Sequence, residues 1–401
     1  MAGPATAPAG AGARRIVALD VIRGGAVLGI LAVNAEGFAG PMAALHDMQA
    51  WPFAHQGATA LSYWLVDVFF REKCITLFSM LFGVSLYLVG GERDDAARGR
   101  LLRRRLLVLF GFAMLHGFGL WWGDILSLYA LTGAILYGCR SWQARHLLIV
   151  GIALYAVMAL LLVPAAPGGG ASAAEVAADV AARVAETGAA IDTARASWSG
   201  AWQVNTASYI AMLAYYPWAV PSTLGLMMIG LGLFKSGLFA GQADLGRYRA
   251  LVAWGAAALL VQAFSSWQEV VAMRPVWGSE LISAVLAPFI ALGYASGLIL
   301  LQRSRAAPNW TALLRPLAAA GRMAFTNYIA QSVIMTTIFY GGRGALMGQV
   351  DRPALWGIVL AVWALQLAWS GPWLARFHYG PLEWLWRCLT VGARVPLRKI
   401  T

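Results

Sequence analysis

Asp20 and Arg23 stand three residues apart inside an apolar run, and Asn34 follows eleven residues after Arg23. At 3.6 residues per turn the three fall near one helical face, so a polar stripe runs along that segment. Such a stripe either satisfies itself, as an Asp20–Arg23 ion pair with Asn34 at the helix end, or presents charge and amide to a ligand. His116 lies near the end of another apolar run, and Asp124 follows eight residues later in Trp121-Trp122-Gly123-Asp124. Histidine exchanges a proton near neutral pH, and a carboxylate can hold its tautomer and raise its basicity. Eight residues of continuous helix would separate the two by about 12 Å, so contact requires the chain to fold back at Gly123. The alternative is a core histidine bonded to a backbone carbonyl.

Arg322, Asn327 and Gln331 form a second polar set, with Asn327 and Gln331 at i,i+4 on one face. That ladder could bind a polar ligand or join helices. Asp67, Arg71, Glu72 and Lys73 interrupt a third apolar region. His46 and His55, near Asp47, fall in a loop where solvent exposure is the default, and His146 and His378 flank span ends.

The elements that must position these groups are dictated by composition. Sixty per cent of the 401 residues are hydrophobic and 12% charged, about half the charged share of a globular domain. Apolar stretches that can cross a hydrocarbon core, which takes about 20 residues, occur at 16–35, 72–90, 104–122, 125–139, 147–164, 209–234, 250–270, 280–301, 319–340 and 354–375. The expected fold is an all-α polytopic transmembrane bundle of about ten spans over 14–376. A disordered tail (1–13) precedes it and an interfacial segment (377–401), rich in Trp and Arg, follows. Arg14-Arg15 and the apolar run after it resemble a signal peptide without a clean cleavage site, so an uncleaved first span is expected. Residues 57–72 read as an extracytoplasmic or re-entrant helix.

The net charge of +12 is topological, not a nucleic-acid signature. Of the 30 basic residues, 21 fall in alternate loops with the tail and the C-terminal segment, against five in the opposite loops. The positive-inside rule then puts both termini in the cytoplasm of a bacterial inner membrane. The one long polar insertion, 165–205, is external; Ser172-x-x-Glu175 has capping-box spacing, Val176, Val180 and Val184 share a face, and Asp179 and Arg183 sit at i,i+4 on another. An amphipathic helix lying on the bundle is expected.

Cys74, Cys139 and Cys388 form no CxxC pair, so neither a disulfide framework nor a metal site is expected. The sequence holds no GxxxxGK[ST] loop, HExxH pair or GxSxG elbow, which removes support for ATP-driven transport and conventional hydrolase chemistry.

Several motifs together resemble the YeiB-like family of bacterial membrane proteins (domain of unknown function 418). They are Leu19-Asp20-Val-Ile-Arg23-Gly24 followed by Asn34, Lys73-Cys-Ile-Thr-Leu-Phe-Ser-Met-Leu-Phe82-Gly83, Leu115-His116-Gly117 with Gly123-Asp124, Gly321-Arg322-Met-Ala-Phe-Thr326-Asn327-Tyr328 with Gln331, and Gly380-Pro381-Leu-Glu383-Trp384-Leu-Trp386-Arg387. The opening motif is also similar to heparan-α-glucosaminide N-acetyltransferase and the wider transmembrane acyltransferases. The resemblance implies transfer of an acyl group, acetyl above all, from cytoplasmic acyl-CoA to an extracytoplasmic hydroxyl or amine such as a sugar's. His46 stands near the place of a histidine in the sugar acetyltransferases, but His116 is the preferred base.

In that scheme Asp124 or Asp67 orients His116 and Asn34 donates to the oxyanion. Asp20, Arg23, Lys73, Arg322, Asn327 and Gln331 line the acyl-CoA site, with Arg23, Lys73 and Arg322 on its phosphates. Acyl-CoA is the co-substrate, with no metal. Membrane lipids, the acceptor and a second copy of the chain in a homodimer are the partners, with no nucleic acid. The rival readings are a transporter or lipid-binding protein using the same polar groups without chemistry, and a non-catalytic scaffold. Membrane-impermeant labelling of single cysteines should mark the 165–205 insertion from outside and neither terminus; a protected insertion would overturn the span assignment.

Overall fold

The computed structural model describes residues 17–42, 51–161, 173–304 and 307–399. His46, Asp47 and Ser172 therefore lie outside the described residues. Helix accounts for about four fifths of the described chain, and no strand forms in it. A segment crossing lipid must satisfy its backbone N–H and C=O groups internally, and a helix does so by itself.

In chain order the helices are α1 (Val17–Ala39), α2 (Gly57–Phe69), α3 (Lys73–Gly90), α4 (Ala96–Gly119), α5 (Leu126–Cys139), α6 (Ala144–Leu160), α7 (Ala173–Ala196) and α8 (Trp198–Ala214). They continue as α9 (Tyr216–Lys235), α10 (Leu245–Ser266, extended by a π turn, Trp267–Val271), α11 (Ser279–Arg303), α12 (Ala307–Arg322), α13 (Ala324–Phe339), α14 (Arg352–Arg376) and α15 (Pro381–Val391). Six stretches are long and apolar enough to cross a membrane: α1, α2 with α3, α9, α10 with its π turn, α11 and α14, while α5 and α6 are shorter apolar helices. Leu107, Leu115, Leu260 and Phe264 are each at least 68% exposed, an outward apolar shell that suits hydrocarbon and not water. The chain is an all-α helical membrane protein.

The departures from the expected spans have local causes. The segment expected at 104–122 starts at Ala96, because Asp95 accepts the Arg98 N–H at 2.9 Å and nucleates the helix ahead of its arginines. The segment expected at 209–234 divides at Tyr215, with a proline in the first turn of α9, where a missing N–H costs nothing. The segment expected at 319–340 is two helices, broken at Met323 (φ −108°, ψ 29°). The new N-terminus of α13 is capped from far along the chain. Glu383 of α15 accepts from the N–H groups of Phe325 (2.8 Å) and Thr326 (3.1 Å) and from the Thr326 hydroxyl (2.5 Å), a carboxylate where the helix dipole favours one.

The insertion is helical, as α7 and the start of α8, and Asp179 pairs with Arg183 at 3.2 Å. Its buried stripe runs through Thr187, Ile191 and Ala194, while Val184 is exposed and Val180 half-buried; the Val176 side chain lies outside the described residues. That spacing is equally helical. The difference arises because only the C-terminal half of α7 meets the rest of the fold. There Gly341 donates its N–H to Ala194 O at 2.9 Å, and Gly348 lies against Ile191.

At the centre lies α1, buried along nearly its whole length and packed on α3, α11, α12, α13 and α14. It crosses α12 backbone to backbone. A Cβ on Gly24 would overlap the Leu317 carbonyl and one on Gly321 the Asp20 carbonyl, whereas one on Gly25 meets open space. Gly24→Val or Gly321→Val should lower the thermal unfolding temperature in detergent, overpacking of this kind costing about 1–3 kcal/mol or more. Gly25→Ala should leave it unchanged.

Candidate functional site

Arg93 to Arg105 mark one end of the bundle, the arginine-rich end, and α4 runs from there toward the opposite, far end. His116 sits in the last turn of α4, and the backbone then turns sharply, with Leu120 and Trp121 both donating to the His116 carbonyl at 2.9 Å. Gly123 lies against the Trp121 ring, leaving no room for a side chain. The fold-back at Gly123 brings Asp124 under the imidazole: Asp124 Oδ1 is 2.9 Å from His116 Nδ1.

The other oxygen of Asp124 is also committed. It accepts from the Ser127 N–H at 2.8 Å and the Ser127 hydroxyl at 2.6 Å, holding the first turn of α5. Ser127 Oγ in turn accepts from Tyr209 at 3.2 Å and touches the Tyr216 hydroxyl. Tyr328 flanks the imidazole at 5.2 Å between ring centroids, and its hydroxyl donates to Gly123 O at 3.1 Å. With a carboxylate accepting at Nδ1, the imidazole proton sits there and Nε2 is left as the acceptor. Nε2 faces Ser332 Oγ at 2.9 Å, from α13. Asp124, His116 and Ser332 thus form a buried carboxylate–imidazole–hydroxyl relay, each member at most 3% exposed. In such a relay the base is oriented by one neighbour and takes a proton from the other.

The other expected site residues lie elsewhere. Asp67 does not orient His116: its Oδ2 accepts from Gln262 at 2.9 Å and its Oδ1 is 3.5 Å from Arg71. Asn34 is half-buried on α1 and is not among the hydrogen-bond partners of the relay. Asn327 and Gln331 join helices. Asn327 donates to Ala320 O (3.0 Å) and Ser370 (3.2 Å), and Gln331 to Val27 O (3.2 Å) and Gln366 (2.9 Å). Both amides are thereby occupied.

Asp20 and Arg23 pair at 3.2 Å, and Arg23 also donates to Ser85 at 3.0 Å. Arg322 ends α12 at the level of Asp20, since Gly321 abuts the Asp20 carbonyl. Lys73 does not join them. It opens α3, twelve residues and so about 18 Å from Ser85, and its Nζ donates to Asp67 O at 2.8 Å. Arg105 stands near Arg23 instead: half-buried and stacked 3.7 Å from the Trp386 ring, it has Arg387, Glu383 and Arg23 as electrostatic neighbours. Arg105 and His116 are eleven residues apart on α4, hence on one stripe and about 16 Å apart. Between them stands an aromatic column: Trp386 on Phe325 (5.5 Å), Phe325 on Phe112 (5.3 Å), then Tyr328 on His116.

A second ionic centre was not expected. Glu36, buried at the end of α1, accepts from Arg352 at 2.7 Å and Arg71 at 3.0 Å, and Arg352 is stacked between Trp51 (4.4 Å) and Tyr63 (4.7 Å). A glutamate inside an apolar run is costly enough to signal a partner; Ser332 carries no such signal, because a helix-borne serine can bond its own backbone. A large apolar cavity of 740 Å³ lies between α1 and α11, lined by Gly25, Phe69, Phe70, Gly293, Gly297 and Trp356 among others. Glu36→Gln should cost about 3–5 kcal/mol in unfolding, since it takes the carboxylate from the buried Arg352 and leaves Arg71 only Asp67; a thermal melt unchanged from wild type would contradict this.

Comparison with known proteins locates the chain. Residues 233–393 match the family described as "Protein of unknown function (DUF418)". Over 95% of this chain and 98% of its own, the uncharacterized protein YeiB of Escherichia coli K12 is 34% identical. The uncharacterized protein YxaH of Bacillus subtilis 168 is 30% identical over 96% and 97% respectively. No solved structure matches. On this near full-length similarity the chain belongs to the DUF418 family.

Proposed function

We propose that this protein is a transmembrane acyltransferase of the bacterial inner membrane, with the arginine-rich end cytoplasmic. The observation that carries the reading is the buried Asp124–His116 pair, whose free nitrogen already faces a hydroxyl at 2.9 Å. A histidine so held is a base for removing a proton from a hydroxyl or amine. Water is excluded around it, which strengthens every charge interaction in the transition state. The anionic end of an acyl-CoA donor fits the cationic group of Arg23, Arg105 and Arg387, joined by Arg322 on α12 and set at the cytoplasmic end in this orientation. A thioester arm reaching from Arg105 toward His116 would follow the aromatic column, with Phe112, Phe325 and Trp386 yielding. The acceptor, a sugar-type hydroxyl or amine, approaches from the far end, where a dimple of 20 Å³ is floored by Gly119, Asn205 and Tyr340 beside the last turn of α4.

The 740 Å³ apolar cavity favours a second reading, a lipid-binding protein without transfer chemistry. The two part on the histidine. With purified protein in nanodiscs, His116→Ala should lower acyl transfer from acetyl-CoA by about 10²–10⁴-fold while leaving acetyl-CoA affinity largely intact. Arg105→Gln should instead weaken acetyl-CoA binding. Lipid retention with no acetyl-CoA-dependent signal in wild type would select the lipid-binding reading.

A further inference from the structure

We propose that Ser332 is the nucleophile of the site and carries the acyl group covalently between donor and acceptor. This rests on the acyltransferase reading above and goes beyond it, because that reading needs only a base. His116 has two nitrogens. Nδ1 is held by Asp124 and Nε2 by Ser332, both at 2.9 Å. The proton that this imidazole is placed to accept is therefore the one on Ser332, and an acceptor hydroxyl could reach Nε2 directly only by displacing that serine. The arrangement is the one by which a base activates a serine hydroxyl, recognised by geometry and not by chain order.

The surroundings favour two steps over one. The aromatic column seals the relay on the arginine-rich side, while on the far side Asn205 donates to Gly117 O at 2.9 Å and accepts from Tyr340 at 3.3 Å. A direct transfer needs donor and acceptor in a fully packed site together; a serine ester needs one at a time, from opposite ends. In the first step Ser332 Oγ attacks the thioester carbonyl carbon as its proton passes to His116 Nε2. The C–S bond breaks, its electrons go to sulfur, and the imidazolium protonates the departing thiolate. In the second step His116 takes the proton of the acceptor hydroxyl or amine, which attacks the acyl carbon. The bond to Ser332 Oγ breaks and the serine recovers its proton from His116. Asp124 balances the imidazolium in both steps.

The test uses the full-length protein in nanodiscs with acetyl-CoA alone. Wild type should release about one thiol equivalent per protein in a burst and yield, after acid quench and proteolysis, an acetyl group on the Ser332 peptide. Ser332→Ala should lose the burst, the label and transfer by on the order of 10³-fold or more while still binding acetyl-CoA. Ser332→Cys should regain a label, as a thioester that neutral hydroxylamine removes. Transfer by Ser332→Ala at the wild-type rate, or acetyl found on His116, overturns the proposal and leaves the acyltransferase reading standing. Acetyl-CoA binding with no thiol release overturns both. Should Ser332→Ala lose acetyl-CoA binding as well, the Ser332→Cys variant decides: binding restored without a label overturns the proposal, binding restored with one upholds it.

Discussion

In a bundle solvated by lipid, a buried amide, hydroxyl or charge has only neighbouring helices to bond with, and that constraint decides which helices of this chain meet. Glu36 draws Arg71 and Arg352 to the end of α1. Asn327 and Gln331 tie α13 to α1, α12 and α14. Glu383 brings α15 to the broken start of α13. Each link exists because the alternative, a polar group facing hydrocarbon, costs several kcal/mol. The apolar contacts then fill a frame that these bonds have set.

The relay sits inside that frame. Ser332 follows Gln331 directly, so the amide that anchors α13 to α1 and α14 also sets the rotation of α13 that turns the serine toward α4. On the other side Asp124 is held by Ser127, itself held by Tyr209. Polar groups that look redundant on paper are the supports that keep three side chains within hydrogen-bond distance, and such support is what a reacting site requires.

The two ends of the molecule differ in kind. At the arginine-rich end Arg23, Arg105 and Arg387 outnumber the carboxylates beside them, Asp20 on Arg23 and Glu383 near Arg105. At the far end Glu36 pairs with Arg71 and Arg352, Asp67 pairs with Arg71, and Lys73 donates to the backbone carbonyl of Asp67. An excess of one sign invites an anionic ligand, whereas a balanced set satisfies itself. The second arrangement explains why Lys73, basic and buried, is structural.

The apolar runs, the arginine periodicity and the cost of intramembrane charge made the helical membrane fold legible from the residues in order. The pairing of His116 with Asp124 was visible as a condition on Gly123, where the returning chain passes against the Trp121 ring and has no room for a side chain. The break at Met323 was not visible: no glycine or proline stands at that point of the run 319–340, and its interruption depends on a carboxylate 57 residues beyond Thr326. The buried stripe of α7 was not legible for a related reason, since its C-terminal half offers more than one apolar stripe and contact with the loop at 341–348 selects Ile191 and Ala194. Ser332 and the placement of Lys73 away from Arg23 were decided by tertiary structure alone. Periodicity gives a residue's angle and height on its own helix, while the partner it faces depends on how helices far apart in sequence cross.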